Sequence, residues 1–232
     1  HVDELSPEMI KVRDYVPEYA VIAHRGSTFW TPEETESAYR WAREIGADYL
    51  ECDMQVSKDG VVLALHDDNL KRTTNIETVF GETLPREIRK NYYMKIGYSE
   101  TEAEEKVKAD EANFVPNLPA YYTYEELLML DAGSWFNNEN LEEALPGLAK
   151  EKQYISTLED LIMYSKGYRL IRDRNQPGMP RQYSIVGKTG ETITSLSGTA
   201  DIVKYDFGYE IDPVWEAGNK NIPGIYIEFK EP

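Results

Sequence analysis

Glu51 and Asp53 stand two residues apart in the run Ala47-Asp-Tyr-Leu-Glu-Cys-Asp53. If that run is a strand, both carboxylates leave from one face and Cys52 from the other, so the pair can clasp one hard cation through oxygen. Glu228 and Lys230 repeat the spacing in Gly224-Ile-Tyr-Ile-Glu-Phe-Lys230, adding a third carboxylate and a cation suited to a phosphate oxygen. His24 and His66, two of only three histidines, each end an apolar run. Imidazole titrates near neutrality, so two such groups suit a reaction that takes a proton from an attacking oxygen and gives one to a leaving oxygen. Arg25, beside His24, can hold two phosphate oxygens at once. Each of these residues alone reads equally well as a solvated or hydrogen-bonded strand end.

The elements that must position them follow from local patterns. Residues 19–24 read as a short buried strand that Arg25-Gly26 ends, and a helix is expected over 32–45. Thr31 is its expected N-cap and Glu34 completes a capping box, while Ala38, Trp41, Ala42 and Ile45 share one face. Gly46 is placed to end that helix and 47–53 is the next strand, which makes a β-α-β unit with parallel strands. A third strand over 61–66 follows Lys58-Asp59-Gly60. A two-residue turn at Asp59-Gly60 sets Asp53 opposite His66; if the third strand is instead parallel, residues 54–60 still span about 23 Å, enough to return outside the sheet. In both cases Asp53 and His66 finish at the same end. Helices are expected over 99–111 and 157–164, and 225–230 forms the fourth strand.

The chain has 232 residues and one cysteine, so no internal disulfide framework exists and cysteine says nothing of compartment. No apolar run approaches the roughly 20 residues of a membrane span. With 25 basic against 42 acidic residues, the net charge of −17 disfavours nucleic acid and anionic lipid surfaces. A phosphate-handling site in such a field needs a local positive focus, which a bound divalent cation with Arg or Lys supplies.

Taken in order, Ala23-His-Arg-Gly26, Pro32-Glu-Glu-Thr35, the Glu51/Asp53 strand, Lys58-Asp-Gly60, His66-Asp67 and Arg72-Thr-Thr-Asn75 form a series that resembles the glycerophosphodiester phosphodiesterase signature. Leu130-Asp-Ala-Gly-Ser-Trp-Phe136, Ser156-Thr-Leu-Glu-Asp160 and Ile227-Glu-Phe-Lys230 look like its later landmarks. The resemblance implies an α/β fold of the TIM (β/α)8 type, with His24 and His66 as the acid-base pair. It makes Glu51, Asp53 and Glu228 ligands of one divalent cation, Ca²⁺ or Mg²⁺, and Arg25 and Lys230 phosphate contacts. The implied reaction is hydrolysis of a small-molecule glycerophosphodiester to glycerol 3-phosphate and an alcohol, the substrate's glycerol hydroxyl being one attacking group that passes through a cyclic phosphate. The motif departs from the family at Glu34, where Asn is usual. By family analogy the location is periplasmic or secreted, with the cytoplasm as the alternative.

Only four strands read clearly where a closed barrel uses eight in about 250 residues. Residues 1–232 are therefore expected to be one catalytic domain lacking the C-terminal strands, with an insertion over 166–223 before the fourth strand. Two other functions fit the motifs: a phospholipase acting on intact lipid, and a non-catalytic glycerophosphoryl-binding module. Net charge and the lack of a basic amphipathic helix weigh against stable membrane insertion and the first; the presence of both histidines weighs against the second.

Overall fold

The computed structural model describes residues 6–14, 16–139, 152–171, 182–186, 192–193, 203–206, 208–218 and 221–230. In chain order the first half runs α1 (Pro7–Asp14), β1 (Ile22–Ala23), α2 (Glu36–Glu44), β2 (Tyr49–Val56), β3 (Val62–Ala64), α3 (Ile76–Val79), α4 (Arg86–Lys95) and α5 (Glu100–Ala112). A 3₁₀ turn (Pro119–Tyr121), α6 (Tyr124–Leu127), α7 (Ser134–Glu139), α8 (Leu158–Ser165) and β4 (Tyr168–Leu170) follow. The remainder is β5 (Gln182–Val186), β6 (Thr192–Ile193), β7 (Val203–Asp206), β8 (Tyr209–Ile211), α9 (Pro213–Ala217) and β9 (Gly224–Phe229).

All four expected strands form, centred on β2, although β1 is only two residues and, unlike the buried strand expected over 19–24, leaves Ile22 exposed. β9 runs parallel along one edge of β2 from Tyr49↔Gly224 to Met54↔Phe229. The other edge carries β1, parallel at Ile22↔Tyr49, and then β3, antiparallel at Met54↔Ala64. The hairpin register differs by one residue from a two-residue turn. Ser57 N donates to Val61 O, Gly60 sits at φ +81°, and Leu65 rather than His66 faces Asp53, its N–H donating to Asp53 O at 2.9 Å. A third residue in the turn shifts every pair by one, as loop length dictates. The described elements are mixed α/β, and among them no barrel closes. β4 and β8 form a separate antiparallel pair, and β6-β5-β7 a three-stranded sheet, within the expected 166–223 insertion, of which residues 172–181, 187–191, 194–202, 207 and 219–220 lie outside the described residues.

β2 is buried on both faces for different reasons. Leu50, Cys52 and Met54 join Tyr39 and Ala42 of α2, Leu63 of β3 and Leu161 of α8 in one core. Each fully buried leucine there contributes about 2 kcal/mol through its transfer from water. The opposite face carries Glu51 and Asp53, also buried. Helix starts use side-chain oxygen: Ser99 caps α5 and Thr157 caps α8, each in a reciprocal capping box. The α2 start is not the expected one. Thr31 turns its hydroxyl to Ser27 O at 2.7 Å, Glu34 adopts φ +58°, and the helix begins after Thr35, whose side chain accepts from Ala38 N. The left-handed turn at Glu34 is incompatible with a helix, so its carboxyl leaves the cap and enters the face of β2.

Candidate active site

Sheet register brings the acidic residues together. Asp53 is paired with Glu228 across the parallel β2–β9 ladder, so their side chains lie level on one face, and Glu51 is one repeat back on that face. One carboxylate oxygen from each of Glu51, Asp53 and Glu228 falls within 4.8 Å of the others. Glu51 and Asp53 are buried, whereas Glu228 faces solvent. Glu51 Oε2 accepts from Arg25 N at 2.7 Å, while its Oε1 is buried without a hydrogen-bond partner. A buried, unpaired carboxylate oxygen is costly, and three convergent hard oxygen donors with one open side suit a divalent cation. Burial is the main cause that raises the Glu51 pKa, with Asp53 and Glu228 adding to it and His24 opposing it. A cation at this cluster would reverse that push.

Arg25 is set by the turn that ends β1. Arg25 lies at φ +57° and Gly26 at φ +88°. A Cβ on Gly26 would come within 2.6 Å of Ala38 Cβ and 2.8 Å of its carbonyl carbon, so only glycine lets this turn sit against α2. Arg25 Nε then lies 3.0 Å from Asp53 Oδ2, and Lys230 Nζ 2.9 Å from Asp53 Oδ1, with Lys230 also paired to Glu228. The two cations expected at phosphate therefore reach the site but rest against its carboxylates.

His66 sits just beyond β3, at the same end as Asp53. Its Nδ1 meets Asp67 Oδ1 at 2.5 Å. Asp67 is in turn held by Arg72, whose Nε is 2.7 Å from Oδ2, and Arg72 also pairs with Glu33. The Arg72 hydrogen bond is the main cause that holds the Asp67 carboxyl down at about 2, with His66 assisting. An ionised Asp67 keeps the imidazole proton on Nδ1 and leaves Nε2 to exchange a proton. His24, at the end of β1, is exposed. Glu33, Asp67 and Arg72 were not among the candidate residues, although all three lie inside the motifs that carried the resemblance. Their role is to aim other groups, which residue type alone does not disclose. Glu33 links the two halves: it contacts Arg25 Nη1 at 3.3 Å and Arg72 Nη2 at 2.7 Å.

Glu34, the departure from the family motif that was expected to cap α2, is a further member. It is 4% exposed, and its Oε1 accepts from Asp53 N at 2.9 Å. Burial, reinforced by the Asp53 and Glu51 carboxylates against the lowering effect of that hydrogen bond, pushes its pKa up to about 9.

Parallel strands joined through α2 thus bring to one sheet end carboxylates able to hold a cation and a carboxylate-oriented histidine able to exchange a proton. A model of the glycerophosphoryl diester phosphodiesterase family matches residues 24–186, and the chain belongs to that family. It is 29% identical over 202 residues to a glycerophosphoinositol inositolphosphodiesterase of Mus musculus, covering 83% of this chain and 32% of that protein. A glycerophosphodiester phosphodiesterase of Bacillus subtilis is 29% identical over 141 residues, 61% of this chain and 34% of the relative. The chain thus spans about a third of the length of these curated relatives. Among solved structures, a phosphodiesterase of Oleispira antarctica in complex with the product sn-glycerol-3-phosphate shares 26% identity over 67% of this chain and 44% of its own, with a TM-score of 0.40.

Proposed function

We propose that the protein hydrolyses glycerophosphodiesters to glycerol 3-phosphate and an alcohol, using one divalent cation and two histidines. The observation that carries this reading is the convergence of Glu51, Asp53 and Glu228 within 4.8 Å at the strand end where His66 is oriented by Asp67. These three carboxylates would hold Ca²⁺ or Mg²⁺, which withdraws negative charge from the phosphoryl oxygens when bound. Arg25 and Lys230, which lie against Asp53, would bind phosphate oxygens. His66, proton fixed on Nδ1 by Asp67, exchanges a proton through Nε2, and His24 supplies the complementary transfer, so the attacking oxygen loses a proton as the leaving oxygen gains one. Arg25 N–H and Glu33 keep the β1 loop against this face while that happens.

The architecture that fits the reading is a (β/α)8 barrel with its site at the strand C-terminal ends. Among the described residues β1 and β9 each pair only with β2, and they carry exposed apolar side chains, Ile22 at 46% and Phe229 at 76%. Among the described residues no helix is long and apolar enough to cross a membrane.

The mouse relative's name places inositol phosphate rather than glycerol 3-phosphate among the products to look for. Incubation with glycerophosphocholine, glycerophosphoethanolamine and glycerophosphoinositol, with products identified by ³¹P NMR, tests the reading. Glycerol 3-phosphate from any of the three supports it, inositol phosphate alone redirects it to the other P–O bond, and no phosphomonoester from any contradicts it.

A further inference from the structure

Glu34 occupies the position where the family signature usually has Asn, and the chain accepts a local cost to keep it there. Its backbone lies in the left-handed region at φ +58°, which a glutamate rarely adopts, and Glu34 N donates to Arg25 O at 2.9 Å to hold the turn. Strain of this kind persists where surrounding structure over-determines it. Thr35 has taken over the cap of α2, so Glu34 is not needed there. Its Oε1 instead crosses to β2 and accepts the backbone N–H of Asp53, and its Oε2 is buried with no donor in reach. Asp53 itself is 0% exposed and is the carboxylate that Arg25 and Lys230 both approach.

We propose that Glu34 is a positioning residue for Asp53: by accepting the Asp53 backbone N–H it ties the β1–α2 loop to β2 and sets the direction from which Asp53 presents its oxygens to the cation. The idea rests on the cation reading above and deepens it. The role is one of shape and hydrogen bonding, so glutamine performs it and methionine, of similar bulk but without a strong acceptor, does not. Groups that orient a metal ligand typically contribute about 10–100-fold to metal affinity.

The test is calorimetric titration of Ca²⁺ and of Mg²⁺ into the parent protein, Glu34→Gln, Glu34→Met, Glu34→Ala and Glu51→Gln, with folding checked by circular dichroism. Glu34→Gln is expected to bind the preferred ion within about threefold of the parent, and Glu34→Met and Glu34→Ala about 10-fold or more weaker. Binding by both Met and Ala variants at the parent's affinity overturns the proposal, as does a loss in Glu34→Gln equal to theirs. Amide hydrogen exchange at Asp53 is a second readout that needs no disruptive variant: slow exchange in the parent and in Glu34→Gln is expected, and fast exchange in the parent overturns the tether. A parent protein that binds neither ion, with Glu51→Gln no different, removes the cation site and the proposed function along with it. A parent that binds an ion which Glu51→Gln loses, with the Met and Ala variants unaffected, removes only the role of Glu34.

Discussion

The Asp67 carboxyl and the buried Glu34 carboxyl are perturbed in opposite directions, and each makes a measurable prediction. Asp67 is held at about 2 by Arg72 and His66, so it stays ionised through the working range and the His66 tautomer does not change with it. His66→Ala is expected to lower kcat/KM about 10²–10⁴-fold, and Asp67→Asn, which keeps the ring but loosens its tautomer, to lower it by less. A kcat/KM for Asp67→Asn equal to the parent's would mean that Asp67 does not act through the histidine. Glu34 is an acid whose folded pKa, about 9, lies above its ordinary value. Folding therefore takes up a proton between the two, and the stability Glu34 contributes is full below about 4.5 and is lost as pH rises toward 9. In chelator, urea unfolding should show Glu34→Gln gaining stability relative to the parent as pH goes from 5 to 8; a difference that does not vary with pH contradicts a buried neutral acid. At this scale the carboxylate cluster was legible because strand alternation fixes which face Glu51, Asp53 and Glu228 share. Glu34 was not, since its spacing from Thr31 fits a capping box equally well and only the left-handed turn decides between the two.

Elements set these residues through a few close contacts. The β1 turn depends on Gly26, where any Cβ would meet Ala38 at 2.6 Å and the backbone sits at φ +88°. Gly26→Ala is expected to cost about 2–4 kcal/mol in urea unfolding and to displace Arg25 and His24, lowering activity in the molecules that remain folded. A variant as stable as the parent would show that the turn has room to spare. Farther from the site, α4 is fastened to α6 by Arg89, which pairs with Glu126 at 2.7 Å while both are essentially excluded from water. Arg89→Ala leaves the Glu126 charge buried and is expected to destabilise by about 3–5 kcal/mol without changing cation affinity in the folded protein. The helices over 99–111 and 157–164 were legible from charge and apolar spacing, whereas the one capping box expected, Thr31 with Glu34, gives way to a cap by Thr35. The hairpin register was not, because Lys58-Asp59-Gly60 accommodates both a two-residue and a three-residue turn, and one residue moves the Asp53 partner from His66 to Leu65.

Across the whole molecule the net charge of −17 attracts a divalent cation and repels an anionic diester. Raising salt from about 10 to about 150 mM shortens the Debye length from about 30 to about 8 Å, so Ca²⁺ or Mg²⁺ should bind several-fold more weakly while KM for a negatively charged substrate at saturating cation falls. Indifference of both to salt would place the relevant charge within the site alone. The α/β class was legible from the β-α-β unit, whereas the pairing of β9 with β2, about 170 residues away in sequence, was not, because no periodic signal in the intervening 166–223 segment states which strands are neighbours; the (β/α)8 barrel that the resemblance implies does not close among the described residues. The central claim is that one cation held by Glu51, Asp53 and Glu228 works with His66 on a phosphodiester. Its most direct test is glycerol 3-phosphate release from glycerophosphocholine, glycerophosphoethanolamine and glycerophosphoinositol by the parent, His66→Ala and Asp53→Asn, after chelation and after Ca²⁺ or Mg²⁺ is restored. The account predicts release by the parent only with the ion restored, and near-complete loss in both variants. Release that survives chelation, or that persists in either variant at the parent's rate, would contradict it.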